Sequence, residues 1–122
     1  MNIIQEFDTI AAISTPLGMG GVGVIRISGD KSFEIAKNIS TKNFFKPNHI
    51  THCWILEGDK KVDEVIILPF KAPNSYTGED VIEIQCHGGV NIVRKILSIV
   101  IKNGARHAEK GEFTKRAFLN KK

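Results

Sequence analysis

Long hydrophobic runs are missing from this chain. No stretch comes near the roughly 18 consecutive apolar residues that a membrane-crossing helix needs, and the opening MNIIQEFDTI has neither the basic start nor the apolar segment of a secretion signal. The expectation is a cytoplasmic protein without a membrane partner. Cysteine is scarce. Cys53 and Cys86 lie far apart and form no disulfide framework, which favours two reduced thiols over a single bridge. The histidines His49, His52, His87 and His107 do not combine with those cysteines at any zinc spacing, so no metal site is expected. Aromatics are also few, one Trp, one Tyr and seven Phe, mostly at core-like positions, which counts against the stacking platforms of an RNA-binding module. The strings G-x-x-x-x-G-K-[ST], G-x-S-x-G and H-E-x-x-H are absent, and with them the common signatures of phosphate binding and hydrolysis.

What is present has the composition of an ordinary globular domain: 122 residues, 42% hydrophobic and 25% charged, which implies one domain spanning 1–122 around one core. The net charge of +4 suits an anionic partner, but the lysines are scattered. The densest basic cluster, Lys110, Lys115, Arg116, Lys121 and Lys122, reads first as a solvated helical face.

Along the chain, TIAAIS closed by Thr15-Pro16 reads as a buried strand, and VGVIRIS, rich in β-branched residues, as a second. The glycine loop LGMGG lies between them. Strand, glycine loop, strand is the wrong order for a nucleotide fold, where the loop runs into a helix. DKSFEIAKNIS has helical spacing, with Asp30 placed as an N-cap. ITHCWILE and VDEVIILPF form a hairpin across Gly58-Asp59-Lys60-Lys61, and KAPNSYTGE is a turn segment opening the strand DVIEIQCH. VNIVRKILSIVIKNG is the longest helix, stopped by Gly104, and GEFTKRAFLN is a short one with Phe113 and Ala117 on one face and Phe118 beside them. The fold class is therefore α+β: a mixed, largely antiparallel sheet of about five strands with about three helices.

Strand alternation sorts the candidate site. Val81, Glu83, Gln85 and His87 share one face of their strand, against Ile82, Ile84 and Cys86 on the other. In VGVIRIS, Arg26 is the lone charge of an apolar strand, on the side of Val22, Val24 and Ser28. A buried lone ion is costly, so Arg26 needs exposure or an opposite charge, and Glu83 is the obvious candidate. Two readings stay open: a purely structural ion pair or exposed surface, and a pocket in which a carboxylate and an arginine grip a flat polar ligand. The loop glycines, Gly20 and Gly21 among them, likewise either make a turn or let backbone approach a ligand.

Three long strings, TPLGMGGVGVIRISG, APNSYTGEDVIEIQCHGG and GARHAEKGEFTKRAFLN, resemble in order and spacing the N-terminal domain of the bacterial tRNA-modification GTPases of the MnmE (TrmE) family. Together with TIAAIS they cover nearly the whole chain; only the stretch from about Asn38 to Glu64 is generic. The resemblance implies a fold similar to the folate-binding domains of aminomethyltransferase type, a bound 5-formyltetrahydrofolate and a constitutive homodimer. It also implies that the one-carbon unit serves modification of the wobble uridine of tRNA at carbon 5 (cmnm5U type), together with an FAD-dependent partner of MnmG type. Folate contacts carry over to Arg26, Glu83 and Lys122, with Gly20, Gly21, Gln85 and His87 as further lining. Met19 departs from the family, which commonly has a basic residue there, and so does Lys121, where the family usually has a small or polar residue before the lysine. No catalytic residue is implied for this domain by itself, the GTPase belonging to another part of such proteins. A stand-alone folate-dependent one-carbon transferase and a basic RNA-binding module are the alternative functions.

Overall fold

The computed structural model describes residues 8–14, 22–87 and 89–120. Six strands, β1 (Ile10–Ile13), β2 (Gly23–Ser28), β3 (Thr51–Glu57), β4 (Lys60–Phe70), β5 (Val81–Cys86) and β6 (Arg106–His107), form one sheet in the order β3-β4-β5-β2-β1-β6. All neighbours are antiparallel except β1 and β6. Three helices accompany the sheet among the described residues: α1 (Ser32–Ile39), α2 (Gly89–Lys102) and α3 (Glu112–Leu119). The α+β class and the largely antiparallel sheet agree with the sequence reading. The sixth strand is an addition. With only two residues it has no period to detect, and it is fixed by neighbouring backbone bonds from Arg106 N to Thr9 O and from Ala108 N to Ala11 O, both 2.8 Å.

The core lies on one face of the sheet. Ile25 and Ile27 of β2, Ile82 and Ile84 of β5, Val65 and Ile67 of β4 and Ile55 of β3 pack there against Ile35 and Ile39 of α1 and Val93, Ile96 and Val100 of α2. Each fully buried isoleucine contributes about 1.5–3 kcal/mol, so this layer dominates the stability. Close approach of α2 depends on Gly23, where a Cβ would meet Val93 Cγ2 at 2.3 Å. Gly104 ends α2 at a φ of +124°, the role its position suggested.

The β3–β4 turn is shorter than expected, because Lys60 already pairs with Glu57 and only Gly58 and Asp59 remain to turn. Pro69 is accommodated in β4 because its carbonyl faces the side where β3 has not yet begun and accepts from Asn48 N at 2.8 Å. The donor that proline lacks would point the same way, so no ladder bond is lost there.

Two expectations fail locally. Asp30 does not cap α1: Lys31 holds the cap position without a side-chain bond, and Asp30 lies one residue too early, on the surface. Ser32 N donates to Gly29 O and Lys31 N to Thr9 Oγ1 instead. In α3 the buried positions are Glu112, Arg116 and Ala117, while Phe118 is 79% exposed. The helix presents charge inward, so Arg116 does not belong to a solvated basic face, although Lys110 and Lys115 do. Cys53 and Cys86 are free and both buried.

Candidate functional site on the open face of the sheet

The sheet face away from α1 and α2 carries the residues that alternation grouped together. Arg26 and Glu83 are direct partners in the β2–β5 ladder. Arg26 Nε and Nη2 donate to Glu83 Oε1 at 3.1 and 2.8 Å, and the two side chains remain 28% and 20% exposed. Neither Arg26 Nη1 nor Glu83 Oε2 makes a hydrogen bond with a described residue. Two aromatic rings flank the guanidinium, Tyr76 from the 71–80 loop at 5.6 Å and Phe113 from α3 at 5.9 Å, distances at which a ring face attracts a cation.

Gln85 follows on the same face, about 7 Å along β5 at the strand repeat, opposite Val24 and Ile66. Together with His87, Val22, His52 and Glu64 it lines a groove of about 260 Å³. His87 stands beyond the end of β5, its amide donating to Asp63 Oδ2 at 3.1 Å and its ring Nδ1 3.5 Å from the same oxygen. Gly20, Gly21 and Lys122 lie outside the described residues, as do Leu17 and Met19 of the glycine loop. The described residues include no group of three or more His, Cys, Asp or Glu placed to hold a metal ion, and no helix long and apolar enough to cross a membrane.

Behind the aromatic pair runs a chain of charges. Arg106 reaches Asp8 Oδ2 at 3.3 Å and grips Glu112 with two bonds of 3.1 and 2.7 Å. Arg116 bridges Glu112 (3.4 Å) to both carboxylate oxygens of Glu79 (3.1 and 3.2 Å). Glu79 Oε1 also accepts from Ser28 Oγ at 2.7 Å, two residues beyond Arg26 on β2. Burial alone would raise the Glu112 carboxyl, but hydrogen bonds from the Arg106 guanidinium and the Glu109 amide, with the Arg106 and Arg116 charges, outweigh it and hold the group below its ordinary value.

Tyr76, Phe113, Glu79 and Arg116 were not legible as site residues. Tyr76 sits in a turn segment and Phe113 reads as a core aromatic. The Glu112 and Arg116 pair at i,i+4 was the available signal, since that spacing brings opposite charges together on a helix.

Fold and site define an α+β domain with one sheet face covered by helices and the other carrying an arginine–glutamate pair between two rings. Residues 9–122 match the family described as GTP-binding protein TrmE N-terminus, and the chain belongs to that family. It is 57% identical over 122 residues to the tRNA modification GTPase MnmE of Caldicellulosiruptor saccharolyticus, covering 95% of this chain and 27% of the relative. It is 49% identical over 116 residues to that of Thermotoga maritima, covering 94% and 26%. With that of Lactococcus lactis subsp. cremoris it shares 47% over 123 residues, covering 98% and 27%. The chain thus spans about a quarter of the length of these curated relatives.

Proposed function

We propose that this domain binds 5-formyltetrahydrofolate, or a closely related one-carbon tetrahydrofolate, at the Arg26–Glu83 pair, and that it joins two copies of the chain as a homodimer. The observation that carries the reading is the state of the pair: Nε and Nη2 of Arg26 both go to one carboxylate oxygen, and Glu83 Oε2 and Arg26 Nη1 bond to no described residue beside two aromatic rings. A pterin is flat and bears adjacent amino and ring N–H donors, which a carboxylate accepts in parallel, together with a carbonyl that a guanidinium can hold. Glu83 takes the donor edge, Arg26 a carbonyl or other oxygen, and Tyr76 and Phe113 the ring faces. Gln85, His87, Gly20 and Gly21 line the remainder, and Lys122 supplies a cation to the ligand. The likeness to folate-binding domains of aminomethyltransferase type belongs to this same reading.

The relatives are tRNA modification GTPases, and this chain carries no phosphate-binding signature of its own. GTP hydrolysis therefore belongs to other parts of such a protein, and this domain alone is not catalytic. In the longer protein the folate serves modification of the wobble uridine of tRNA at carbon 5, of the cmnm5U type, with an FAD-dependent MnmG-type partner in the cytoplasm. Titration of the 122-residue chain with 5-formyltetrahydrofolate, following heat and light-scattering mass together, tests the proposal. Saturable heat from a species of twice the chain mass is expected. An intact dimer without heat would leave only the dimerising role, and binding by a monomer would remove the dimer.

A further inference from the structure

Helix α3 is only eight residues long, below the length at which a helix is stable by itself in water. Apolar packing contributes little: Phe118 and Leu119 are exposed, Phe113 is only half-buried, and the buried face is Glu112, Arg116 and Ala117. What ties it down is polar. Arg116, 3% exposed, donates to Glu79 in the 71–80 loop, Asn120 Nδ2 donates to Thr77 O at 2.8 Å, and the hydroxyls of Tyr76 and Thr114 meet at 3.0 Å. The loop is in turn fixed to the sheet, because Ser28 Oγ lies 2.7 Å from both Thr77 Oγ1 and Glu79 Oε1. Ser28 is on the same strand face as Arg26.

Buried ion pairs add little net stability over well-packed apolar residues, because desolvating both charges offsets their attraction. What they provide is direction: a guanidinium fork accepts only a narrow set of carboxylate positions. The two structures so aligned are the loop that carries Tyr76 and the helix that carries Phe113, the two rings beside the Arg26 guanidinium.

We infer that Glu79 and Arg116 are positioning residues for this site: their bridge, anchored on Ser28, sets the spacing between Tyr76 and Phe113 and so the width of the slot at Arg26 and Glu83. The inference rests on the folate reading for its ligand, and on geometry alone for its effect on the rings.

The test is the pair variant Glu79→Gln/Arg116→Met, which removes the bridge without leaving a lone charge, since the glutamine oxygen still accepts from Ser28 and Glu112 keeps Arg106. Two readouts are taken beside the melting midpoint: calorimetric affinity for 5-formyltetrahydrofolate, and the NMR position of the Arg26 Nε–H signal, which the two flanking rings displace. Expected are a folded chain, an Arg26 signal moved towards that of a free arginine side chain, and affinity lowered about tenfold or more, as small misplacements of binding groups do. Arg116→Lys keeps the charge without the fork and should fall between, whereas a role confined to stability would make affinity follow the melting midpoint. A folded pair variant with wild-type affinity and an unmoved Arg26 signal overturns the inference. If the unaltered chain binds no folate, the ligand reading fails separately and the Arg26 signal alone decides. Should the pair variant not fold, Arg116→Lys decides by the same two readouts.

Discussion

Arg26 and Glu83 face each other across the β2–β5 ladder, and Nε and Nη2 of the arginine converge on a single carboxylate oxygen, Oε1. The pair is part-buried, with 28% and 20% of its side chains exposed, so it contributes on the order of 1 kcal/mol to stability, between an exposed pair and a buried one, and its removal should be tolerated by the fold. Glu83→Gln keeps shape and one acceptor but loses the charge. The melting midpoint should move by only a few degrees, as about 1 kcal/mol does in a domain of this size. A hydrogen bond to a charged group contributes about 1.5–3 kcal/mol, so folate affinity should drop about ten- to a hundredfold. Calorimetry on the folded variant decides, and unchanged affinity would take Glu83 out of the site.

Gly23 opens β2 and Gly29 follows its last residue, but the two differ in what surrounds them. A Cβ on Gly23 would meet a side chain, Val93 Cγ2 at 2.3 Å, which α2 can relieve by shifting. At Gly29 it would meet the Thr9 backbone, Cα at 2.6 Å, and the φ of +137° is one that only glycine adopts without strain. Gly23→Ala should cost about 1–3 kcal/mol as an overpacked core does, and Gly29→Ala more. Urea unfolding of the two variants should rank them in that order. The reverse order would mean that the Thr9 backbone ahead of β1 yields more readily than the α2 packing.

These contrasts explain which parts of the structure could be read from the sequence. β5 was legible because a strand with one buried face must alternate, and Val81-Ile82-Glu83-Ile84-Gln85-Cys86 places its polar groups together. The Arg26–Glu83 pairing followed, because a charge in an apolar strand needs an opposite one. The aromatic walls did not follow, since Tyr76 and Phe113 reach Arg26 only through tertiary contacts of a loop and a terminal helix. The inward charge of α3 was hidden for a related reason. A hydrophobic period is what marks a buried face, whereas Glu112 and Arg116 are buried with charged partners that include Arg106 and Glu79, six and thirty-seven residues away in sequence. Asp30 failed as a cap because Thr9, a distant residue, already satisfies the Lys31 amide.

Acid should attack α3 first. Glu112 has a folded-state carboxyl held below its ordinary value, so its ionised form stabilises the native state. That contribution is complete above the unfolded glutamate value of about 4.3 and is lost as pH falls through the lower folded value. Between pH 7 and 5 the contribution should be flat. Below about pH 4.3 stability should decline, with earlier hydrogen exchange in residues 112–119 than in β5. Glu112→Gln should be less stable at pH 7 and show a shallower decline, and an identical acid limb in the two proteins would show that other carboxylates control it.

The two thiols should be inert in the native chain. Burial pushes Cys86 up to about 11, with the nearby Asp63 charge adding to the effect and a backbone hydrogen bond opposing it. Burial also raises Cys53, although a Ser40 hydrogen bond and the Lys42 charge pull the other way. Because the thiolate is the reacting species, a raised value leaves little nucleophile at pH 8, and burial denies the reagent access as well. Iodoacetamide at pH 8 should therefore modify neither cysteine in the folded chain and both in guanidinium. The two causes separate with pH: if only ionisation limited the reaction, raising pH towards 10 would bring labelling in step with thiolate, whereas restricted access keeps the rate at that of local opening. Mass spectrometry of the labelled chain distinguishes them. Modification of Cys86 at pH 8 without unfolding would mean that the end of β5, from which the backbone continues to His87 and the groove, opens far more readily than its pairing with Gly23 and its place in the core imply.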